Sequence, residues 1–129
     1  MTIDNHILTT LEAEAQSTPR LRANRLLHAS PNDKVQKMVD VLLPGTEMPI
    51  HRHLNTAETL IILKGEIDIV YYDDKGNETD SVKLSSQCGN YVIDIPIGQW
   101  HTVQVTMAVA LMEIKEGPYR PLQENEILK

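Results

Sequence analysis

The chain has 129 residues, and its 12 basic and 18 acidic side chains give a formal net charge of −6 with neutral histidines. This length predicts one domain with a core that needs no disulfide, and the single cysteine excludes an intrachain one. The acidic balance argues against a nucleic-acid partner, and no apolar run is long enough to span a membrane. We therefore expect a small globular protein of the cytoplasm.

The first predicted element is a helix. Apolar residues recur at helical spacing between Thr2 and Ser17, and Pro19 ends the pattern. Residues 18–33 contain two prolines and an Asn-Asp pair, so this segment is expected to be irregular.

From Lys34 onward the pattern changes to short strands separated by turn residues. The predicted strands are Val35–Leu43, Glu58–Leu63, Glu66–Tyr72, Thr79–Leu84, Tyr91–Ile95, His101–Val105 and Val109–Ile114. Many short strands at even spacing indicate an all-β barrel or sandwich. The expected organisation is a helix and arm over residues 1–33, a barrel over 34–121 and a tail over 122–129.

Four polar residues form the strongest candidate for a functional site. His51 and His53 are two positions apart, and on a strand they would point to the same face. Glu58 follows a polar break that lets the chain turn back, and His101 follows the turn at residues 96–99. Three imidazoles and a carboxylate suit a divalent transition metal with positions open for substrate. The alternative for any single histidine is a surface or a satisfied core residue.

The same residues carry a resemblance to a known superfamily. The stretch from Gly45 to Gly65 resembles the first cupin motif, G-x5-H-x-H-x4-E-x6-G, at every fixed position. The stretch from Gly89 to His101 resembles the second motif, with one extra residue before Pro96 and with Val105 where many cupins have asparagine.

This resemblance implies a single-domain cupin, which is a double-stranded β-helix or jelly-roll barrel, with a short N-terminal helix. It also implies one divalent metal ion, either iron, manganese, nickel or zinc. The ligands that it implies are His51, His53, Glu58 and His101.

A narrower resemblance involves three other segments. Residues 35–38, 115–119 and 19–25, the last leading to His28, look like the WbuC family of cupin-fold metalloproteins. That family is associated with bacterial surface-polysaccharide gene clusters. The resemblance therefore implies a link to polysaccharide biosynthesis without defining a reaction.

Several residues outside the motifs are candidates for a substrate pocket. Arg20, Arg22 and Arg25 are predicted to line the barrel mouth and hold a carboxylate or phosphate, and the alternative is a solvated charge cluster. The other pocket candidates are His28, Gln36, Met38 and Tyr119, each of which has a packing or surface role as its alternative.

Three functions are consistent with these features, and one of them, a metal-free epimerase-like site with a histidine base, leaves the complete four-residue set unexplained. The other two involve a metal. The first is a metal-dependent enzyme, of the isomerase or epimerase or dioxygenase type, that acts on a small polar molecule such as a sugar or sugar acid. The second is a non-catalytic, metal-dependent sensor or binding module. The two differ in whether the pocket holds an acid or base beyond the metal ligands, and no catalytic residue is assigned. Fold analogy predicts a homodimer.

Overall fold

The computed structural model describes residues 1–129. Its elements are α1 (Asn5–Gln16), β1 (Arg22–Leu26), β2 (Val35–Leu42), β3 (Glu58–Lys64), β4 (Glu66–Tyr72), β5 (Glu78–Ser85), β6 (Val92–Ile95), β7 (Trp100–Gln104), β8 (Val109–Glu116) and a 3-10 helix (Glu124–Glu126). The strands form an antiparallel five-stranded sheet, in the order β1-β2-β8-β3-β6, and a three-stranded sheet, in the order β5-β4-β7. The prediction of an all-β fold with a short N-terminal helix is confirmed. No helix has the length and hydrophobicity needed to cross a membrane.

The main core lies between the two sheets. Leu42, Leu60 and Leu111 of the larger sheet pack with Ile67 and Ile69 of the smaller one. This burial of aliphatic side chains stabilises the barrel, since apolar area removed from water is the dominant favourable term in folding. The core contains no phenylalanine, because the chain has none.

Strand β2 is covered on both of its faces. Val39 and Val41 pack with Leu11 and Ala15 of α1 in a second core cluster, whereas the next residue, Leu42, belongs to the main core. Asp4 caps the helix by accepting a hydrogen bond from the amide of Ile7 at 3.0 Å. The helix thus closes the outer face of the larger sheet and leaves the inner face to the barrel interior.

The segment 18–33 is not irregular throughout, which corrects the sequence prediction. Residues Arg22–Leu26 form β1, and they pair with β2 in a register that places Arg22 opposite Leu42 and Leu26 opposite Met38. The strand lacks an apolar alternation because it is an edge strand: Ala23 joins the second core cluster, and polar residues occupy the other face. Backbone pairing with β2, rather than side-chain pattern, specifies this element.

The turn between β3 and β4 requires glycine. Gly65 has a φ of +77°, and a Cβ at this position would collide with the carbonyl oxygen of Ala108. We expect Gly65→Ala to lower the free energy of unfolding by about 2 kcal/mol more than Gly89→Ala, because Gly89 has the same φ but no atom near its Cβ position. Urea unfolding of both variants checks this, and equal losses would mean that backbone conformation alone sets the cost.

Candidate metal centre

The two motif histidines do not lie on a regular strand, which corrects a second sequence prediction. His51 forms an isolated antiparallel bridge with His101 through two backbone hydrogen bonds, of 2.9 and 2.8 Å, and His53 follows in irregular chain. The backbone of the loop, and not strand alternation, therefore directs their side chains toward His101 on β7.

The three histidines meet in a buried cluster. Their candidate ligand atoms all lie within 4.8 Å of one another, and the ring centroids of His51 and His101 are 4.3 Å apart. Glu58, at the start of β3, places one carboxylate oxygen 3.0 Å from Nε2 of His53 and the other 3.9 Å from Nε2 of His101. The fold thus brings together all four residues that the motif resemblance implies as ligands.

The orientation of two imidazoles fits a metal ion. Nδ1 of His51 lies 2.9 Å from the carbonyl oxygen of Pro49, and Nδ1 of His101 lies 2.9 Å from that of Gln99. A carbonyl accepts only from a protonated Nδ1, so each ring presents an unprotonated Nε2 to the cluster. Nε2 of His101 is buried and has no hydrogen-bond partner in the protein. A metal ion would satisfy this atom, and the residues present therefore fit one.

The electrostatics of the cluster favour the ligand forms of these groups. Burial and, to a smaller extent, the nearby His101 lower the pKa of His51 from 6.5 to about 4. Burial also lowers the pKa of His101. Burial, the largest single effect, opposes ionisation of Glu58, but the hydrogen bond with His53 and the neighbouring His101 and Glu113 together outweigh it and hold the pKa of the carboxyl below its usual value. Neutral imidazoles and an ionised carboxylate are the forms that bind metals.

A pH effect on the metal-free protein follows from the buried His51. Its pKa falls from 6.5 to about 4 on folding. Between these two pH values the unfolded chain therefore binds a proton at His51 that the folded chain does not. The stability that neutral His51 contributes is complete above pH 6.5 and is lost as the pH falls to about 4. We expect the fall in unfolding free energy over this window to be smaller in His51→Gln. Urea unfolding at several pH values tests this, with the exposed His6 replaced in the control variant, and an identical fall in all three proteins would contradict it.

A cavity of about 300 Å³ opens beside the cluster, at the small end of the range for small-molecule sites. His51 and Glu58 line it, together with the predicted pocket residues Arg20, Arg22 and Met38. The cavity therefore connects the candidate metal ligands to the arginines of the N-terminal arm.

The other four pocket candidates do not line this cavity. Arg25 lies on the opposite face of β1 from Arg22, because successive strand residues alternate. Nδ1 of His28 accepts the amide of Lys37 at 3.0 Å, and the buried Gln36 donates its side-chain amide to the carbonyl oxygen of Asp33 at 2.9 Å. Tyr119 is 55% exposed. The conformation of the loops and the alternation of side chains along the strands therefore direct these four residues away from the cavity.

Two acidic residues in the cavity were missed by the sequence analysis. Asp40 on β2 and Glu113 on β8 line it beside Glu58, and the Glu113 carboxyl lies within hydrogen-bonding reach of both other carboxyls. Burial raises the pKa of Asp40 from 3.8 to about 6. The sequence did contain a signal for these two acids. Each interrupts an otherwise apolar strand at a position where the alternation of side chains points toward the barrel interior.

The C-terminal residues support the histidine loop. The buried carboxylate of Glu126 accepts hydrogen bonds from the amide of Leu54 at 2.8 Å, from the amide of Gln123 at 2.9 Å and from Arg120 at 2.9 Å. The carbonyl oxygen of Glu126 accepts the amide of Arg52 at 2.9 Å. We call residues 122–128 the C-terminal strap, because they bind both sides of the loop that carries His51 and His53.

Comparison with solved structures shows the cupin fold. Protein BH2720 of Bacillus halodurans has a TM-score of 0.63 at 20% identity, over 94% of this chain and 84% of that one. A cupin-2 domain protein of Rhodospirillum rubrum has a TM-score of 0.61 at 18% identity, over 85% and 72% of the two chains. The capsular polysaccharide assembling protein CapF of Staphylococcus aureus has a TM-score of 0.59 at 19% identity, over 86% of this chain but only 31% of CapF.

Comparison of sequences gives the family. No curated protein matches this sequence. The family described as Domain of unknown function (DUF6016) matches residues 3–84, which is more than half of the chain and includes His51, His53 and Glu58. The protein has the cupin fold and belongs to the DUF6016 family.

Proposed function

We propose that this protein is a metal-dependent enzyme that acts on a small polar molecule such as a sugar or sugar acid. His51, His53, His101 and Glu58 would hold one iron, manganese, nickel or zinc ion. When bound, such an ion supplies Lewis-acid chemistry by polarising a substrate oxygen. Support for the site comes from the converging imidazoles and from the unpartnered Nε2 of His101.

The presence of two further carboxyls, those of Asp40 and Glu113, is the observation that favours an enzyme over a binding module. Both line the same cavity as His51 and Glu58, and they belong to β2 and β8, which pair along their whole length. Lys115 lies 3.8 Å from Glu113 and provides a counter-charge. Carboxyls in this position can take a proton from a bound substrate and return one, which a module that only binds a ligand does not need.

The same observation bears on the reaction class. An isomerase or epimerase removes a proton and replaces it, and Asp40 and Glu113 offer two groups for these steps. Among the reaction types expected from the sequence, the carboxyl pair therefore favours isomerase or epimerase chemistry over dioxygenase chemistry.

The biological setting is a further part of the proposal. The sequence resemblance to the WbuC family supports a role in surface-polysaccharide biosynthesis, and the structural likeness to CapF, a capsular polysaccharide assembling protein, agrees with it. We propose that the protein works as a cytoplasmic homodimer on a small-molecule substrate. Light scattering of the purified protein measures its oligomeric state directly.

Deuterium exchange tests the enzymatic function without a known product. Metal-loaded protein would be incubated in D2O with sugar acids and nucleotide sugars, and NMR would detect loss of a C–H proton. We expect Asp40→Asn and Glu113→Gln to slow the exchange by at least about 100-fold while they retain the metal. Asp68→Asn is the matched control, since Asp68 pairs with Lys83 and does not line the cavity.

The outcomes separate the two functions. Exchange that depends on both carboxyls supports the enzyme. A sugar that binds to the wild-type protein without exchange or conversion supports the binding module instead. Exchange that survives in both variants would remove the carboxyl pair from the chemistry.

A further inference from the structure

Two arginines in the cavity have no anionic partner in the protein. Arg20 and Arg22 line the cavity that His51 and Glu58 also line. Neither guanidinium takes part in an ion pair within 4.0 Å. The protein as a whole carries a net charge of −6, so two unpaired cations at one cavity call for an explanation.

The Nε–H group of Arg22 is buried without a hydrogen-bond partner. The only hydrogen bond from this guanidinium runs from Nη1 to the carbonyl oxygen of Glu47, at 3.4 Å. An unsatisfied buried donor is costly, and native proteins keep few of them. A guanidinium presents its donors as a rigid fork that matches the two oxygens of a carboxylate or phosphate.

The surrounding charges make an external anion favourable. Burial lowers the pKa of Arg22, and the positive charge of Arg20 lowers it further. The charge of Asp40 attracts Arg22, but Asp40 forms no ion pair with it, and the Asp40 carboxyl lies within hydrogen-bonding reach of Glu113. An anion between the two guanidiniums would relieve their mutual repulsion, which Asp40 offsets only without direct contact.

The position of Arg22 is fixed by the sheet. Arg22 is paired with Leu42 in the antiparallel register of β1 and β2, and the same side of β1 places Asn24 in the cavity lining. The sheet therefore holds Arg22 in the same cavity as His51 and Glu58.

We propose that Arg22 and Arg20 form a subsite for the anionic group of the substrate, a carboxylate or a phosphate. This inference rests on the proposed function for the location of the reacting end, beside His51 and Glu58. It narrows the substrate class to sugar derivatives that carry a negative charge, and it makes Arg22 a specificity-determining residue. Neutral sugars of the same size lack the group that the guanidiniums recognise.

Calorimetric titration with three probes tests the subsite. Glucuronate carries a carboxylate, glucose 6-phosphate carries a phosphate, and glucose carries neither. We expect at least one anionic probe to bind about tenfold or more tightly than glucose. The preference for glucuronate or for glucose 6-phosphate identifies which anion the subsite takes. Each titration is repeated without metal, because selectivity that persists there cannot come from direct binding of the anion to the ion.

Variants assign the selectivity to the arginines. Arg22→Gln should weaken binding of the preferred anion by about 10- to 100-fold and should affect glucose binding much less, because glucose has no anionic group. Arg22→Lys should recover part of the loss, since it restores the charge but not the fork. Arg25→Gln is the matched control, three residues along the same strand and outside the cavity. If Arg22→Gln does not fold, Arg20→Gln tests the same subsite, because Arg20 is exposed.

Two results would overturn the subsite. One is equal affinity for the three probes in the wild-type protein, and the other is unchanged anion selectivity in a folded variant. Failure of the proposed function gives a different pattern, because anion binding that depends on Arg22 can persist in a protein that shows no deuterium exchange.

Discussion

Replacement of His101 with alanine is expected to lower metal affinity by more than about 100-fold. His101 is 2% exposed, its Nε2 has no partner in the protein, and its Nδ1 faces the carbonyl oxygen of Gln99. Loss of a group that only orients a ligand already costs about 10- to 100-fold. Removal of the ligand itself should cost at least as much, and water cannot easily replace it at a buried position.

Elemental analysis of protein purified without a histidine tag measures this effect, together with zinc titration of the metal-free protein. His6→Ala is the control, because His6 is an exposed residue of α1. Glu58→Ala should bind metal more weakly than wild type but more tightly than His101→Ala, since water can stand in for a carboxylate oxygen. Full metal content in His101→Ala would exclude the histidine cluster as the binding site.

Replacement of Glu126 with alanine is expected to lower the free energy of unfolding by about 3 kcal/mol. This carboxylate is buried and accepts three hydrogen bonds, two of them from backbone amides. The variant leaves these amides and Arg120 without their acceptor. It also frees Leu54, the residue after His53, so metal affinity should fall by about tenfold.

Glu124→Ala provides the matched control. Glu124 lies two residues earlier, and its side chain is 87% exposed where it pairs with Lys129. Urea unfolding of both variants measures the loss of general stability, and zinc titration measures whether the histidine loop is still positioned to bind metal. If Glu126→Ala lost stability but bound zinc with unchanged affinity, the C-terminal strap would have no part in positioning His53.

The sequence was sufficient to predict the strands and the site in outline. Seven of the eight strands have a clear pattern of apolar residues and turns, and the spacing of His51, His53 and Glu58 is specific enough to predict one cluster. The route to that cluster was wrong, because the histidines converge through a loop held by His101 and by the C-terminal strap.

Other features depend on contacts between distant parts of the chain. β1 has no alternation of its own and is defined by backbone pairing with β2. Asp40 and Glu113 are 73 positions apart in sequence, and only the pairing of β2 with β8 brings them together. Local patterns contain no information about such partners, although an acid within an apolar strand marks each one as unusual.

The C-terminal strap has a consequence for the order in which the protein is made. The amide of Leu54 and the carboxylate of Glu126 are 72 positions apart, and a chain leaves the ribosome from its N-terminus onward. His51 and His53 are therefore synthesised well before the residues that fix their loop. During this interval both imidazoles are present without the hydrogen bonds that the strap provides to their loop. The candidate centre reaches its final geometry only after residues 122–128 have been translated, so metal binding in the native arrangement follows the synthesis of the strap.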